Sequence, residues 1–210
     1  MYEFTTDWLT LRQHYFDMIM RSFDPRRVLE IGSFEGRSAV YFIDKLNGLQ
    51  DARLICIDPW AVYWELDVLM DAIEERFDKN IATALKDTNV DFSKMKGPSI
   101  KMLSELILED EPQFDLIYVD GSHTAVDVFA DAALSFHLLK VGGVLIFDDY
   151  AAEPKPDTDI YQYPRIAIDA FKHAHADRLE PIMFGKPGDE FLSIAGGGGT
   201  TYQCYLRKTR

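Results

Sequence analysis

The chain is poor in several residue types that would settle its class at once. Only two cysteines occur in 210 residues, Cys56 and Cys204, each inside an apolar, strand-like run and without metal-ligand spacing. That argues against a disulfide framework, fits a reducing compartment, and makes both thiols inert core residues. Cationic side chains are also short. Lys plus Arg total 22 against 35 Asp plus Glu, for a formal charge of −13, so a phosphate backbone or an anionic membrane surface is repelled and nucleic acid is not expected as a partner. No apolar stretch approaches the roughly 18 residues of a membrane span. The N-terminus carries acids early and reads as an amphipathic helix rather than a leader. These absences predict a cytoplasmic protein without a membrane partner. The dinucleotide fingerprint G-x-G-x-x-G is missing as well, and the glycine run 195–200 lacks the following Lys-Ser/Thr of a phosphate loop.

What is present is a 47% hydrophobic composition, enough for one domain over 1–210 with a substantial core. Strand signals alternate with helical ones, as in a parallel sheet built from βαβ units. Strands are predicted at Val28–Ile31, Leu54–Ile57, Ile100–Leu103, Leu116–Val119 and Val144–Phe147. Helices are predicted over 1–24, Ser38–Leu46, Val68–Phe77, Ile81–Leu85, Ala125–Leu139 (ended by Gly142-Gly143) and Tyr163–Ala176. Leu179–Phe184 and Tyr202–Arg207 read as a closing antiparallel pair. The Pro- and Asp-rich stretch within 151–163 reads as a lid, although turn composition alone explains most of it.

The acids carry the functional signal. Glu30 and Gly32 end the first strand, Asp58 the second, Asp120 the fourth, and Asp148 with Asp149 the fifth. In an open parallel sheet ligands bind beyond the carboxyl ends of the strands, so these residues are expected on one rim. Solvated turn acids would scatter over both ends, yet Lys and Arg precede the first two strands. The first loop, EIGSFEGRS, spaces glycines as G-x-x-x-G, and Glu30 and Glu35 would repel an anion that a helix N-terminus ought to attract. A ligand with a cationic end, such as the ammonium and sulfonium of S-adenosylmethionine, tolerates them. Asp58 then stands where a carboxylate accepts hydrogen bonds from ribose hydroxyls.

VLEIGSFEGRS at 28–38, LICIDPW at 54–60, FDLIYVDGSH at 114–123 and LLKVGGVLIFDDY at 138–150 together resemble class I S-adenosylmethionine-dependent methyltransferases. Within them the chain is similar to the small O-methyltransferase branch of macrocin-type sugar and catechol-type enzymes, over about residues 25–175. The resemblance implies a Rossmann-like α/β fold: a seven-stranded, mostly parallel sheet with a reversed last strand and helices on both faces. It implies S-adenosylmethionine as cofactor and a small hydroxylated substrate, a sugar or natural product. It also implies a divalent ion on Asp120, Asp148 and Asp149, with His123, three residues past the first ligand, as general base. Gly32, Ser33, Phe34, Gly36 and Ser38 fall where the family's loop covers the methionine portion and its helix begins. Ser104 falls where relatives approach adenine, and Trp60 follows the ribose acid.

Residue chemistry adds its own reasons. Successive strand side chains point to opposite faces, so Asp148 and Asp149 converge only if the backbone leaves the strand there. Three clustered carboxylates need a cation between them, and hard oxygen ligands favour Mg²⁺, with Mn²⁺ or Ca²⁺ allowed. Alternatives stay open: His123 as a helix cap or a partner of Asp120, Phe34 and Trp60 as packing aromatics, and His14, His137, His173 and His175 as surface or packing residues. A metal-independent or nitrogen-directed methyltransferase, a non-catalytic nucleotide-binding protein of this fold, and a homo-oligomer are likewise compatible with the sequence.

Overall fold

The computed structural model describes residues 1–61, 70–108, 113–152, 159–182, 184 and 203–210. Its strands are β1 Arg27–Ile31, β2 Arg53–Asp58, β3 Asp91–Lys96, β4 Phe114–Val119, β5 Leu139–Phe147, β6 Leu179–Pro181 and β7 Cys204–Lys208. Its α-helices are α1 Gln13–Phe23, α2 Arg37–Leu46, α3 Met70–Ala84, α4 Ser99–Ile107, α5 Ala125–Leu138 and α6 Pro164–Ala174. The seven strands form one sheet in the order β3-β2-β1-β4-β5-β7-β6. Pairing is parallel from β3 through β5, and β7 runs antiparallel to both β5 and β6. The expected mostly parallel sheet with a reversed last strand is therefore present, the reversed strand being inserted between β5 and β6.

Alternation along the strands sorts the core into two layers. Val28, Leu54, Cys56, Leu116, Tyr118, Val144 and Ile146 pack with α1, α2 and α3. Leu29, Ile31, Ile55, Ile57, Ile117, Val119, Leu145 and Phe147 pack with α4, α5 and α6. Central strands buried on both faces read as continuous apolar runs, which is why β1, β2, β4 and β5 were predictable. Cys56 belongs to the first layer and Cys204 to the second, both free and buried, so the sheet stands between the two thiols.

Three expectations need correction. The third strand is Asp91–Lys96, and Ile100–Leu103 lies in α4. Asp91–Lys96 is an edge strand whose residues are only half-buried or exposed, so its sequence, DFSKMK, lacks an apolar run. In α4 the buried Met102, Leu103 and Leu106 follow helical spacing. Second, Gly142-Gly143 does not end a helix: α5 passes directly into β5 at Leu139, and the glycines lie within that strand where its register against β4 shifts between Phe114 and Leu116. A Cβ on Gly143 would sit 2.8 Å from the Leu139 side chain and 2.9 Å from the Lys140 carbonyl oxygen. Third, the N-terminal segment is helical only from Gln13, and the two helices expected around 68–85 are one, α3. The glycine run 195–200 and residues 153–158 of the expected lid lie outside the described residues.

Candidate functional site

Five strand ends are stitched at one level by four backbone bonds. Gly97 donates to the Asp58 carbonyl at 3.0 Å, Gly32 to Ile57 at 2.8 Å, Asp120 to Ile31 at 2.8 Å and Asp148 to Val119 at 2.9 Å. The acids expected on one rim are on one rim. Gly32 is required there, because it adopts φ +87 and a Cβ would lie 1.9 Å from the Asp120 carbonyl oxygen. The β1 and β4 loops can approach this closely only over a glycine.

The cofactor-loop candidates are drawn together, with roles that differ from those expected. Asp58, 1% exposed, accepts from the backbone N–H groups of Ser33 and Phe34, both at 2.9 Å, and of Trp60 at 2.7 Å. Its carboxylate therefore clamps the first loop. Glu30 is fully buried beneath that loop: the Ser33 hydroxyl donates to it at 2.6 Å, and the Cys56 thiol lies 3.3 Å away. Burial raises the Glu30 pKa against the opposing hydrogen bonds of Ser33, Ser38 and Cys56. Gly36, at φ +80, precedes the first turn of α2, and a Cβ there would meet the Phe77 ring at 2.9 Å. Glu35 also turns away from any ligand role. Its carboxylate accepts from Thr5 through the backbone at 2.6 Å and the hydroxyl at 2.8 Å, and pairs with Arg76 at 2.6 Å.

Two of the expected cofactor residues are misplaced. Trp60 is 4% exposed, packed against Phe77 with ring centroids 4.5 Å apart and covered by the Lys94 ammonium at 4.5 Å. It is a core residue whose indole N–H donates to the Phe34 carbonyl at 2.9 Å, so it supports the loop from behind. Ser104 is exposed in the second turn of α4, where its hydroxyl donates to its own helix's Ile100 carbonyl at 2.6 Å. With β3 ending at Lys96, Gly97 and Pro98 occupy the rim position that Ser104 was expected to hold.

At the β4 and β5 ends, Asp149 adopts φ +54, the departure from strand geometry that convergence of the acidic pair requires. His123 Nε2 lies 3.0 Å from Asp149 Oδ2, a partner the sequence did not single out for it. At the entry to α5 the Ser122 and Thr124 hydroxyls both donate to Asp127 at 2.7 Å. Asp120, His123 and Asp149 each offer a ligand atom within 4.8 Å of the others. An octahedral ion with bonds of about 2.1 Å spans about 4 Å between opposite ligands, so small side-chain rotations would let this set hold a divalent cation. A mixed nitrogen and oxygen set suits Mn²⁺ or another transition ion better than Mg²⁺, shifting the order of preference read from an all-carboxylate site.

Asp148 faces inward rather than joining that set. The Tyr118 hydroxyl lies 2.8 Å from both Asp148 Oδ2 and Asp120 Oδ2. One phenolic proton cannot serve two carboxylates, so the second contact calls for a proton on the acid pair. Accordingly, burial and then the neighbouring carboxylates push Asp120 well above the usual carboxylate range, and burial raises Asp148 despite Arg12. Asp149 is lowered: burial opposes ionisation there, but His123 and Arg12 outweigh it.

The sequence reading missed Arg12 and Tyr118. Arg12 Nε lies 3.2 Å from Asp148 Oδ1 and its Nη2 3.8 Å from Asp149 Oδ1, while Nη1 donates to the Trp8 carbonyl at 2.7 Å. A signal existed, since Arg12 precedes Tyr15, Phe16 and Ile19 at helical spacing and so falls on the stripe that α1 buries. A charge on an apolar stripe calls for a partner. Tyr118, between apolar neighbours in a strand buried on both faces, needs a polar partner for its hydroxyl in the same way.

Residues 29–150 match the family described as a methyltransferase domain. The chain belongs to this family. The methyltransferase domain is 29% identical over 125 residues to O-methyltransferase hkm8 of Aspergillus hancockii, covering 60% of this chain and 43% of that protein. It is 24% identical over 136 residues to caffeoyl-CoA O-methyltransferase of Populus kitakamiensis, covering 64% and 51%. It thus spans about half the length of these curated relatives. Among solved structures, an O-methyltransferase from Bacillus cereus in complex with SAH superposes with a TM-score of 0.67 at 17% identity, covering 98% of this chain and 84% of that one. TomG from Streptomyces achromogenes, in complex with SAM, gives 0.66 at 18% identity, covering 98% and 82%. These likenesses establish the class I methyltransferase fold. Among the described residues no helix is long and apolar enough to cross a membrane.

Proposed function

We propose that this domain is an S-adenosylmethionine-dependent O-methyltransferase acting on a hydroxyl of a small molecule, a sugar or another natural product, with a divalent ion at the β4 and β5 ends. The observation that carries the reading is the single rim on which the Asp58-clamped loop and the Asp120, His123 and Asp149 cluster stand side by side. Family membership and fold neighbours solved in complex with SAM or SAH support the cofactor. O-methyltransferases among the relatives, and a TDP-rhamnose 3'-O-methyltransferase among the fold neighbours, support an oxygen acceptor.

In the proposed reaction the acceptor oxygen attacks the sulfonium methyl carbon, the methyl–sulfur bond breaks, and S-adenosylhomocysteine leaves neutral at sulfur. An alcohol is a poor nucleophile until its proton is removed. His123, half exposed and oriented by Asp149 at 3.0 Å, stands to take that proton. Asp120, Asp149 and, in a resting arrangement, His123 are the side chains that would hold the ion, which when bound supplies Lewis acidity toward the acceptor hydroxyl. Asp58 fixes Ser33 and Phe34, and with them the loop that would cover the cofactor.

The test is methyl transfer from labelled S-adenosylmethionine to a panel of hydroxylated sugars and phenols, with and without EDTA. The reading expects transfer to oxygen that EDTA abolishes and Mn²⁺ or Mg²⁺ restores. Undiminished transfer in EDTA favours a histidine-only mechanism, and transfer solely to amines would overturn the oxygen assignment.

A further inference from the structure

The acid rim already contains a cation of its own. The Arg12 side chain is 17% exposed and its partner Asp148 only 5%, so this is a largely desolvated pair rather than a surface contact. Arg12 is also held in place from several directions. Its Nη1 bonds the Trp8 carbonyl, the Trp8 ring packs on Phe34 at 5.2 Å, and Thr5 is tied to Glu35 by two hydrogen bonds. Asp7 pairs with Arg37 at 2.9 Å, fastening the same segment to the start of α2. Residues 3–12 therefore lie along the first loop and deliver one guanidinium to the carboxylates at the end of β5.

We infer that Arg12 is a built-in counter-cation of the rim, a positioning residue that commits Asp148 to the protein and weakens the rim's affinity for a divalent ion. The inference rests on the divalent-ion reading above. A guanidinium 3.8 Å from Asp149 Oδ1 shares that carboxylate with any ion coordinated by it, and the two positive charges repel across a few ångströms in a partly desolvated site. With Arg12 on Asp148, the rim offers an ion Asp120, Asp149 and His123. Without Arg12, Asp148 loses its only ion-pair partner among the described residues and becomes a third carboxylate ligand or a close outer charge. The arrangement explains how three carboxylates coexist at one rim before any ion arrives: Asp148 is paired with Arg12, Tyr118 bridges Asp148 and Asp120, and His123 stands against Asp149.

The experiment is titration of the full chain with Mn²⁺, followed by electron paramagnetic resonance of the free ion, in the absence of cofactor and acceptor. Arg12→Gln removes the charge, Arg12→Met is a second neutral variant should glutamine disturb folding, and Arg12→Lys keeps the charge. Circular dichroism checks each for folding. The neutral variants should bind Mn²⁺ at least about tenfold more tightly than the wild type, equivalent to about 1.4 kcal/mol, and Arg12→Lys should stay within about threefold. A merely structural role for Arg12 predicts the opposite sign, because a disordered rim binds less tightly. Unchanged or weakened binding in folded neutral variants, with the wild type binding normally, overturns the inference alone. An equal gain in Arg12→Lys also overturns it, since charge would not be the cause. Absence of Mn²⁺ binding in every form overturns the divalent-ion reading together with the inference.

Discussion

Replacing Asp58 by alanine separates two accounts of this carboxylate. As a ribose acceptor alone, Asp58 would matter only when cofactor is bound. In the structure it also accepts three backbone N–H bonds of 2.7 to 2.9 Å, from Ser33, Phe34 and Trp60. Hydrogen bonds to a charged group contribute roughly 1.5–3 kcal/mol each, and their loss is not additive because a released loop can turn its N–H groups to water. We expect Asp58→Ala to lose about 3 kcal/mol of stability in the cofactor-free protein, a fall of roughly 6–12 °C in Tm for a chain of this size. Asparagine should not rescue it fully, because its amide group must aim a donor at one of three donors. The assay is paired: thermal unfolding without ligand, and calorimetric titration with S-adenosylhomocysteine, whose affinity should fall at least about tenfold as the loop loses its anchor. A variant with wild-type Tm and weakened S-adenosylhomocysteine binding would refute the clamp and leave the ribose role alone.

Two further outcomes follow from named groups. His123→Ala should lower kcat by roughly 10²–10⁴-fold with cofactor affinity unchanged, and should remove the acidic limb of the pH–rate profile; retention of both kcat and that limb would show that another group accepts the proton. Asp131 is 1% exposed, with Oδ1 unpartnered among the described residues, and burial raises its pKa to about 7. A carboxyl raised in the folded state contributes stability that is full below its unfolded value of 3.8 and is lost as pH rises toward about 7. Asp131→Asn should therefore stabilise the protein at pH 8, by roughly 4 kcal/mol at most, and have little effect at pH 4; equal effects at both pH values, read by denaturant unfolding, would contradict this.

Much of the fold was legible because burial on both faces leaves an unmistakable pattern. Ile117-Tyr118-Val119 and Val144-Leu145-Ile146-Phe147 are apolar whichever way they point, and the acids after them mark where the chain emerges. β3 was hidden for the complementary reason: an edge strand half in water needs no apolar run. Asp120, His123 and Asp149 were legible as a rim cluster, and their closeness to one another followed from topology. Other assignments failed because they depend on partners distant in sequence. Trp60 becomes core only when Phe77 of α3 and Lys94 of β3 close over it. Asp148 stands apart from the Asp120, His123 and Asp149 group, held by Tyr118 and by Arg12, 136 residues earlier. Glu35, read as an acid facing a ligand, is instead spent on Thr5 and Arg76, contacts no local spacing could announce.

The most direct test of the central claim is calorimetric titration of the intact chain with S-adenosylhomocysteine, run beside NAD. The account predicts saturable one-to-one binding of S-adenosylhomocysteine and none of NAD. It also predicts that Gly32→Val abolishes the binding, because a side chain at φ +87 would drive the first loop off the Asp120 backbone. Binding of NAD with no response to S-adenosylhomocysteine would contradict the assignment of this rim.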